Sequence, residues 1–304
     1  GGSGAEWFVT VTAHVELVFV QCLQPLLRVL EELKHVAETK DCDQSQIERN
    51  IEQQLEKIKA GIKAMQNALS KMHEKLTAKT FFNVLRPFLG GWGGEGNSLP
   101  DGLIYEGVSD IPRKLTGGSA AQSSTMQVLD AFFGVQHSQE KRTFLVHMRE
   151  FMPLGHRRLI EDLERWPHKL RDFVASRSRS SSLKASYNSC ISSLVDLRSY
   201  HIQIVTKYIV VASRDMNEGN YESLDTKGTG GTSLIPFLQV IRSDTEEGLV
   251  PDSDNMLSES SASNHQCKPR VGTSVPSYYA GLLLFTAAAS TVAVGTLMKS
   301  FQPN

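Results

Sequence analysis

The chain has 304 residues, 40% hydrophobic and 21% charged, an ordinary globular balance with length enough for one large core or two domains. Its 32 Lys and Arg against 33 Asp and Glu leave a net charge of -1, so no nucleic-acid partner is expected. The four cysteines, Cys22, Cys42, Cys190 and Cys267, form no C-x-x-C pair, which argues against a zinc ribbon and a c-type haem attachment.

In chain order, "GGSGAEWF" opens without a methionine and runs at once into an apolar segment, as in a fragment whose N-terminal part is missing. One apolar helix is expected over residues 7–38, with Pro25 inside it. His14 and Glu16 interrupt it, which favours a buried, kinked core helix over a membrane span. Next, Ile47, Ile51, Leu55, Ile58, Ile62, Met65, Leu69, Met72 and Leu76 recur at spacings of three and four, the mark of one buried helical face. "DQSQ" at 43–46 offers a capping box for that helix. Gly61 and its apolar neighbours favour packing in a bundle over a free coiled coil. A third helix over 78–89 ends in the glycine-rich "GGWGGEGNSLPDG". Its "GWGGEG" spells a dinucleotide fingerprint, but a helix precedes it and Pro100, Asp101 and Gly102 follow where a helix should begin, so it reads as a turn.

Further helices are expected over 123–135, 141–151, 155–164 and 182–211, with "SLIPFLQVIRSDTEE" as the last before the tail. "SRSRSSS" at 176–182 reads as an exposed loop. No period-two run is sustained, so the expected class is all-α, a helical bundle. A polar, Ser-rich stretch over 251–276 reads as a linker. Beyond it, "YYAGLLLFTAAASTVAVGTLM" at 278–298 carries no charge, with Tyr278 and Tyr279 at one edge and Lys299 at the other as interfacial anchors. The expected layout is a helical domain over 1–250, the linker over 251–276 and a candidate transmembrane tail anchor over 277–299. With no N-x-Ser/Thr sequon and no N-terminal signal peptide, the folded part is expected in the cytoplasm, tethered to a membrane if the tail inserts.

One residue stands out on the helix over 182–211. The stripe Tyr187, Cys190, Leu194, Leu197, His201, Ile204, Tyr208 keeps one face apolar except for the imidazole of His201. A lone histidine on such a face is more often a hydrogen-bonded core residue than a ligand. A haem, however, needs one neutral imidazole on a rigid helix facing an apolar slot. Arg198, one turn earlier, could reach a haem propionate from the same face. The loops "GGSAAQSS" at 117–124 and "GTGGT" at 228–232 could bring backbone N–H groups close to a flat ligand, or could simply precede helices. In "FFNVLR", Phe82 and Arg86 share a helical face with Phe81 on the adjacent one. An aromatic wall beside a guanidinium suits an aromatic amino acid, its ring stacked and its carboxylate clamped. A core aromatic beside a surface arginine is the plainer reading.

Together these pieces resemble the haem-dependent indoleamine 2,3-dioxygenases. The matching words, in the family's order over residues 7–245, are "WFVTVTAHVE", "FFNVLRPFLGGW", "LPDGLIYEGV", "GGSAAQSSTMQVLD", "MREFMPLGHR", "LRSYHIQIVTKYIV" and "KGTGGTSLIPFL". The resemblance implies a monomeric helical domain enclosing haem b. It implies insertion of both atoms of O2 into the indole C2–C3 bond of L-tryptophan, or of other indoleamines, to give N-formylkynurenine, the first step of the kynurenine pathway. It matches His201 to the proximal iron ligand, Arg198 to the arginine near a propionate and Asp130 to a proximal-side acid that supports haem retention. It matches Phe82 and Arg86 to the residues holding the indole ring and the carboxylate, with Phe8 and Phe81 lining the pocket. Ser119 and Ala120 correspond to the loop beside haem and substrate, and Thr229 to the loop that closes over the site.

The chain departs from the family at several points. Thr12 stands where a distal serine is frequent, Gly90 replaces a serine, and Ala121 replaces the middle glycine of "GGSAGQSS". The family's smaller N-terminal domain has no counterpart in the chain, and the charge-free tail is not a general family feature. The distal side also lacks the His/Arg pair that would cleave O–O heterolytically. Two other readings remain open at this point: an oxygen-binding, catalytically silent relative of the myoglobin type, and a membrane-tethered helical interaction module built on the Ile47-to-Leu76 stripe.

Overall fold

A computed structural model describes residues 4–39, 42–93, 99–177, 181–213 and 233–251. The linker and tail expected over 251–276 and 277–299 lie outside the described residues apart from residue 251, as does the "GTGGT" loop with Thr229. Two long helices open the fold, α1 (Gly4–Glu38) and α2 (Gln44–Ser70). α1 continues through Pro25 and buries Cys22, Leu26, Val29 and Leu33 against α2. By length and composition it is the one helix among the described residues that could cross a membrane. Glu16, which reads in sequence as an interruption, has a structural role. Its carboxylate accepts hydrogen bonds from the hydroxyls of Ser123 (2.5 Å) and Thr125 (2.7 Å), where the helix after residue 123 begins.

Most of the expected stripe is buried on α2: Ile51, Leu55, Ile58, Ile62 and Met65 are wholly excluded from solvent and Ile47 almost so, while Leu69 is partly buried. This face packs between α1 and a later helix, α10 (Ser181–Val205), so the bundle reading holds and the coiled coil does not. Gly61 permits the close approach, since a Cβ there would overlap Cys22 Sγ. Half of the expected capping box forms. Asp43 accepts from the Gln46 N–H at 3.1 Å, but the Gln46 side chain turns to Asn50 instead of back to the cap.

The helices read over 47–76 and 78–89 are each broken. The first stops at Ser70, with a separate turn α3 (Met72–Lys75). The second divides into α4 (Ala78–Thr80), a π-helical turn over Phe81–Leu85 and α5 (Arg86–Leu89). Pro87 supplies the physical reason, because it has no N–H to continue an i→i−4 ladder, while the Arg86 N–H reaches back five residues to the Phe81 carbonyl. Between α5 and α6 (Ser124–Phe133) run four short strands that the sequence reading did not anticipate: β1 (Gly91–Trp92), β2 (Leu103–Tyr105), β3 (Ser109–Arg113) and β4 (Leu115–Thr116). They pair antiparallel, β1 with β4 and β2 with β3.

The rest is helical: α7 (Gln139–Met148), α8 (Leu154–Arg165), α10 and α11 (Leu234–Glu246) lie where helices are expected, while α9 (Leu170–Ser176) and a second π-helical turn over Thr206–Val211 are not expected from the sequence. The main core lies between α1, α2, α6, α8, α9 and α10. A second apolar cluster gathers Val11, Met72, Leu76, Phe81, Ile204 and Tyr208 at the N-terminal end of α1 and the C-terminal end of α10.

Candidate haem and substrate pocket

On α10, six members of the expected stripe are buried: Tyr187, Cys190 and Leu194 wholly, Leu197, Ile204 and Tyr208 almost so. His201, the seventh, keeps part of its surface open. Burial, helped by the Arg198 charge, pushes its imidazole pKa down to about 4. Among the described residues its ring has no hydrogen-bond partner, so the common role of a satisfied core histidine does not fit it. At neutral pH the His201 ring is uncharged, and among the described residues its lone pair is unengaged.

Arg198, one turn before it, is buried and largely engaged. One terminal nitrogen donates to both Asp130 oxygens at 2.7 and 2.8 Å, and the other donates to the Ile241 carbonyl at 2.9 Å and to Thr245 Oγ1. The expected reach to a propionate therefore cannot use those nitrogens without breaking a buried ion pair. What remains is Nε, which is buried and has no partner among the described residues. Burial alone would raise the Asp130 carboxyl, but the Arg198 guanidinium and the nearby His137 outweigh it and hold the group below the usual carboxylate range. His137 was not singled out in the sequence. It follows the α6 C-cap Gly134, whose positive φ of 71° turns the chain back toward Asp130. Its Nε2 lies 3.1 Å from Asp130 Oδ2 and its Nδ1 lies 2.8 Å from Asp244 Oδ2. Nothing in helical periodicity marks either His137 or Asp244; only a histidine soon after an acid-bearing helix hinted at the pair.

On the other side, the structure brings together the aromatic residues expected to line a pocket. The Arg86 guanidinium stacks over the Phe82 ring at 5.0 Å, and both side chains are partly buried. Phe8 meets Phe81 at 5.3 Å between ring centroids, and Phe81 meets Tyr208 edge-on at 5.8 Å. Thr12 Oγ1 donates to the Phe8 or Val9 carbonyl, each 3.0 Å away, so its proton is committed and its oxygen can only accept. Ser119 caps its own loop by accepting from the Ala121 N–H at 3.2 Å, in a full capping box with Gln122. Ala120 is exposed at the start of that turn. The loop is pinned to the Arg86 segment, because the Gly118 N–H donates to the Leu89 carbonyl at 2.9 Å. Strand β1 runs beside it, and Gly91 (φ 64°) leaves no space for a Cβ against Leu115 O and Gly117 N.

These groups fit the haem that the sequence resemblance implies. Among the described residues, His201 supplies a neutral imidazole without a competing partner, and Arg198 Nε, on the same helical face, is a buried donor lacking an acceptor.

An all-α fold that presents a neutral imidazole on one helix and an aromatic and guanidinium pair on another narrows the class, and comparison with known proteins says which. The family model described as indoleamine 2,3-dioxygenase matches residues 1–248. The chain is 43% identical over 247 residues to a myoglobin of Haliotis madaka, covering 81% of this chain and 62% of that protein. It is 36% identical over 256 residues to indoleamine 2,3-dioxygenase 2 of Mus musculus, covering 82% and 60%. To indoleamine 2,3-dioxygenase 1 of Rattus norvegicus it is 35% identical over 258 residues, again covering 82% and 60%. The chain belongs to the indoleamine 2,3-dioxygenase family, and it spans about 60% of the length of these relatives.

Proposed function

We propose that the chain binds haem b through His201 and acts as a dioxygenase on L-tryptophan and related indoleamines, giving N-formylkynurenine. The observation that carries the enzymatic reading is the Phe82–Arg86 stack, an aromatic face and a fixed cation side by side. Haem held by His201, with Arg198 Nε toward a propionate, would supply dioxygen activation. The protein's own work is placement. Arg86 pairs with the substrate carboxylate, Phe82 packs on the indole, and Phe8 and Phe81 close the wall and keep water out. Thr12 acts as an acceptor, and the rigid Ser119–Ala120 turn supplies backbone groups beside the ligands. We extend the same role to Thr229 as part of a closing loop. The reaction balances without a further reductant, since the C2–C3 bond breaks and each carbon gains one oxygen. The uncharged stretch over 278–298 supports attachment of this cytoplasmic domain to a membrane, which fractionation of the intact chain without detergent would test.

Replacing Arg86 tests the assignment. Arg86→Ala should keep haem but weaken L-tryptophan binding by ~1.5–3 kcal/mol, the cost of a charge-assisted pair, while indoles without a carboxylate change little. Equal losses for both ligands would make Arg86 a structural residue.

A second reading, an oxygen carrier, is favoured by the 43% identity to a protein named myoglobin. A tryptophan-induced change in the haem spectrum separates the two readings.

A further inference from the structure

Four charged groups close on one another behind α10: Asp130 from α6, His137 just beyond it, Arg198 from α10 and Asp244 from α11. Their side chains are 7–14% exposed. Both His137 ring nitrogens face carboxylate oxygens, which only accept, so both must donate and the ring is an imidazolium. The cluster then holds two anions and two cations. With a neutral His137 it would carry one uncompensated negative charge, and a ring lone pair would face a carboxylate. An unbalanced charge in a buried cluster is far more costly than a balanced one.

We propose that His137 is a positioning residue for His201: by donating to Asp130 and Asp244 together it fixes the Asp130–Arg198 pair, and with it the turn of α10 that presents the imidazole. The route is short. Asp130 grips Arg198 with both oxygens, Arg198 also binds the α11 backbone at Ile241, and His201 lies three residues further along the same helix. His137 thus ties the end of α6 and α11 together around Arg198 of α10. A helix turn locked by buried hydrogen bonds holds the side chain it presents in one orientation. The inference rests on the haem reading above, and the charges facing His137 are Asp130, Asp244 and Arg198.

The test measures haem b loss from the full chain, loaded with hemin, to an excess of apomyoglobin. His137→Gln keeps one donor and one acceptor but no charge, and should lose haem about 10-fold faster or more. Adding Asp244→Asn removes one charge of the opposite sign and rebalances the cluster, so the double variant should recover most of the lost retention. Filling of space alone would not be rescued by that second change. Unchanged retention in His137→Gln, or a double variant no better than the single one, overturns the proposal. If His137→Gln does not fold, wild-type chain decides: against the effect of burial, the two carboxylates hold the His137 pKa above its ordinary 6.5, so haem loss should quicken as pH is raised above that value and His137 gives up its proton, and a flat profile overturns the proposal. Wild-type chain that takes up no haem would overturn the proposed function and this inference together. Normal uptake with unchanged His137→Gln retention would overturn the inference alone.

Discussion

His201 sits where leucine would pack better, and the fold bears a cost for it. Its folded pKa of about 4 lies below the ordinary 6.5, so between those values the unfolded chain binds more protons at this site. Stability from this group is fully present above the unfolded pKa and is lost as pH falls from 6.5 toward 4. His201→Leu should remove that share of the acid sensitivity. Measured without haem, its thermal midpoint at pH near 5 should exceed that of wild type by more than at neutral pH. Parallel pH profiles for the two proteins would show that the imidazole is not buried as described. His201→Ala should fail to retain haem, and free imidazole should partly restore the haem spectrum, because the cavity remains while the iron's protein bond is gone. Full haem occupancy in His201→Ala without imidazole would remove His201 from the axial role. At this scale the sequence was most informative where one residue broke a regular pattern. His201 was visible because six apolar neighbours framed it, and Phe82 with Arg86 because four residues separate them. His137 and Asp244 were not visible, since they lie 107 residues apart and meet only when α11 packs on α10.

The elements were legible in proportion to their regularity. α2 is the clearest case, with every third or fourth residue apolar and most of these wholly buried in the structure. The two π-helical turns were not legible, because the same residue types serve a ladder of either spacing. For Phe81–Leu85 the one available signal was Pro87, whose missing N–H disturbs the turn before it. The β2–β3 hairpin escaped notice because it is short, carries a bulge and includes Pro112, so it shows no alternation. The contact between α1 and α2 offers a sharp test. Helix propensity alone would make Gly61→Ala stabilising by about 1 kcal/mol. The added Cβ, however, would overlap Cys22 Sγ in a packed core, an overpacking that costs typically ~1–3 kcal/mol. We expect a net loss in thermal or denaturant unfolding, with Cys22→Ala in the same chain recovering most of it. A Gly61→Ala variant more stable than wild type would show that the helices do not approach so closely.

At the scale of the molecule, two apolar clusters divide the work. The larger joins α1, α2, α6, α8, α9 and α10 into a scaffold that presents α10. The smaller joins the start of α1, the Phe81–Leu85 turn and the end of α10, and it carries the aromatic residues of the site. A pocket built from element ends on a rigid frame keeps its side chains within the narrow tolerance that oriented chemistry requires. Family membership is firm, yet relatives named as myoglobin and as dioxygenase both match this chain. The difference between storing oxygen and spending it turns on whether an indole is held beside it. The most direct measurement loads the full chain with hemin, reduces it, and supplies L-tryptophan with isotopically labelled dioxygen. A tryptophan-dependent change in the haem spectrum is expected, with N-formylkynurenine carrying both labelled oxygen atoms. A haem complex that binds oxygen reversibly, ignores tryptophan and forms no such product would contradict the dioxygenase reading.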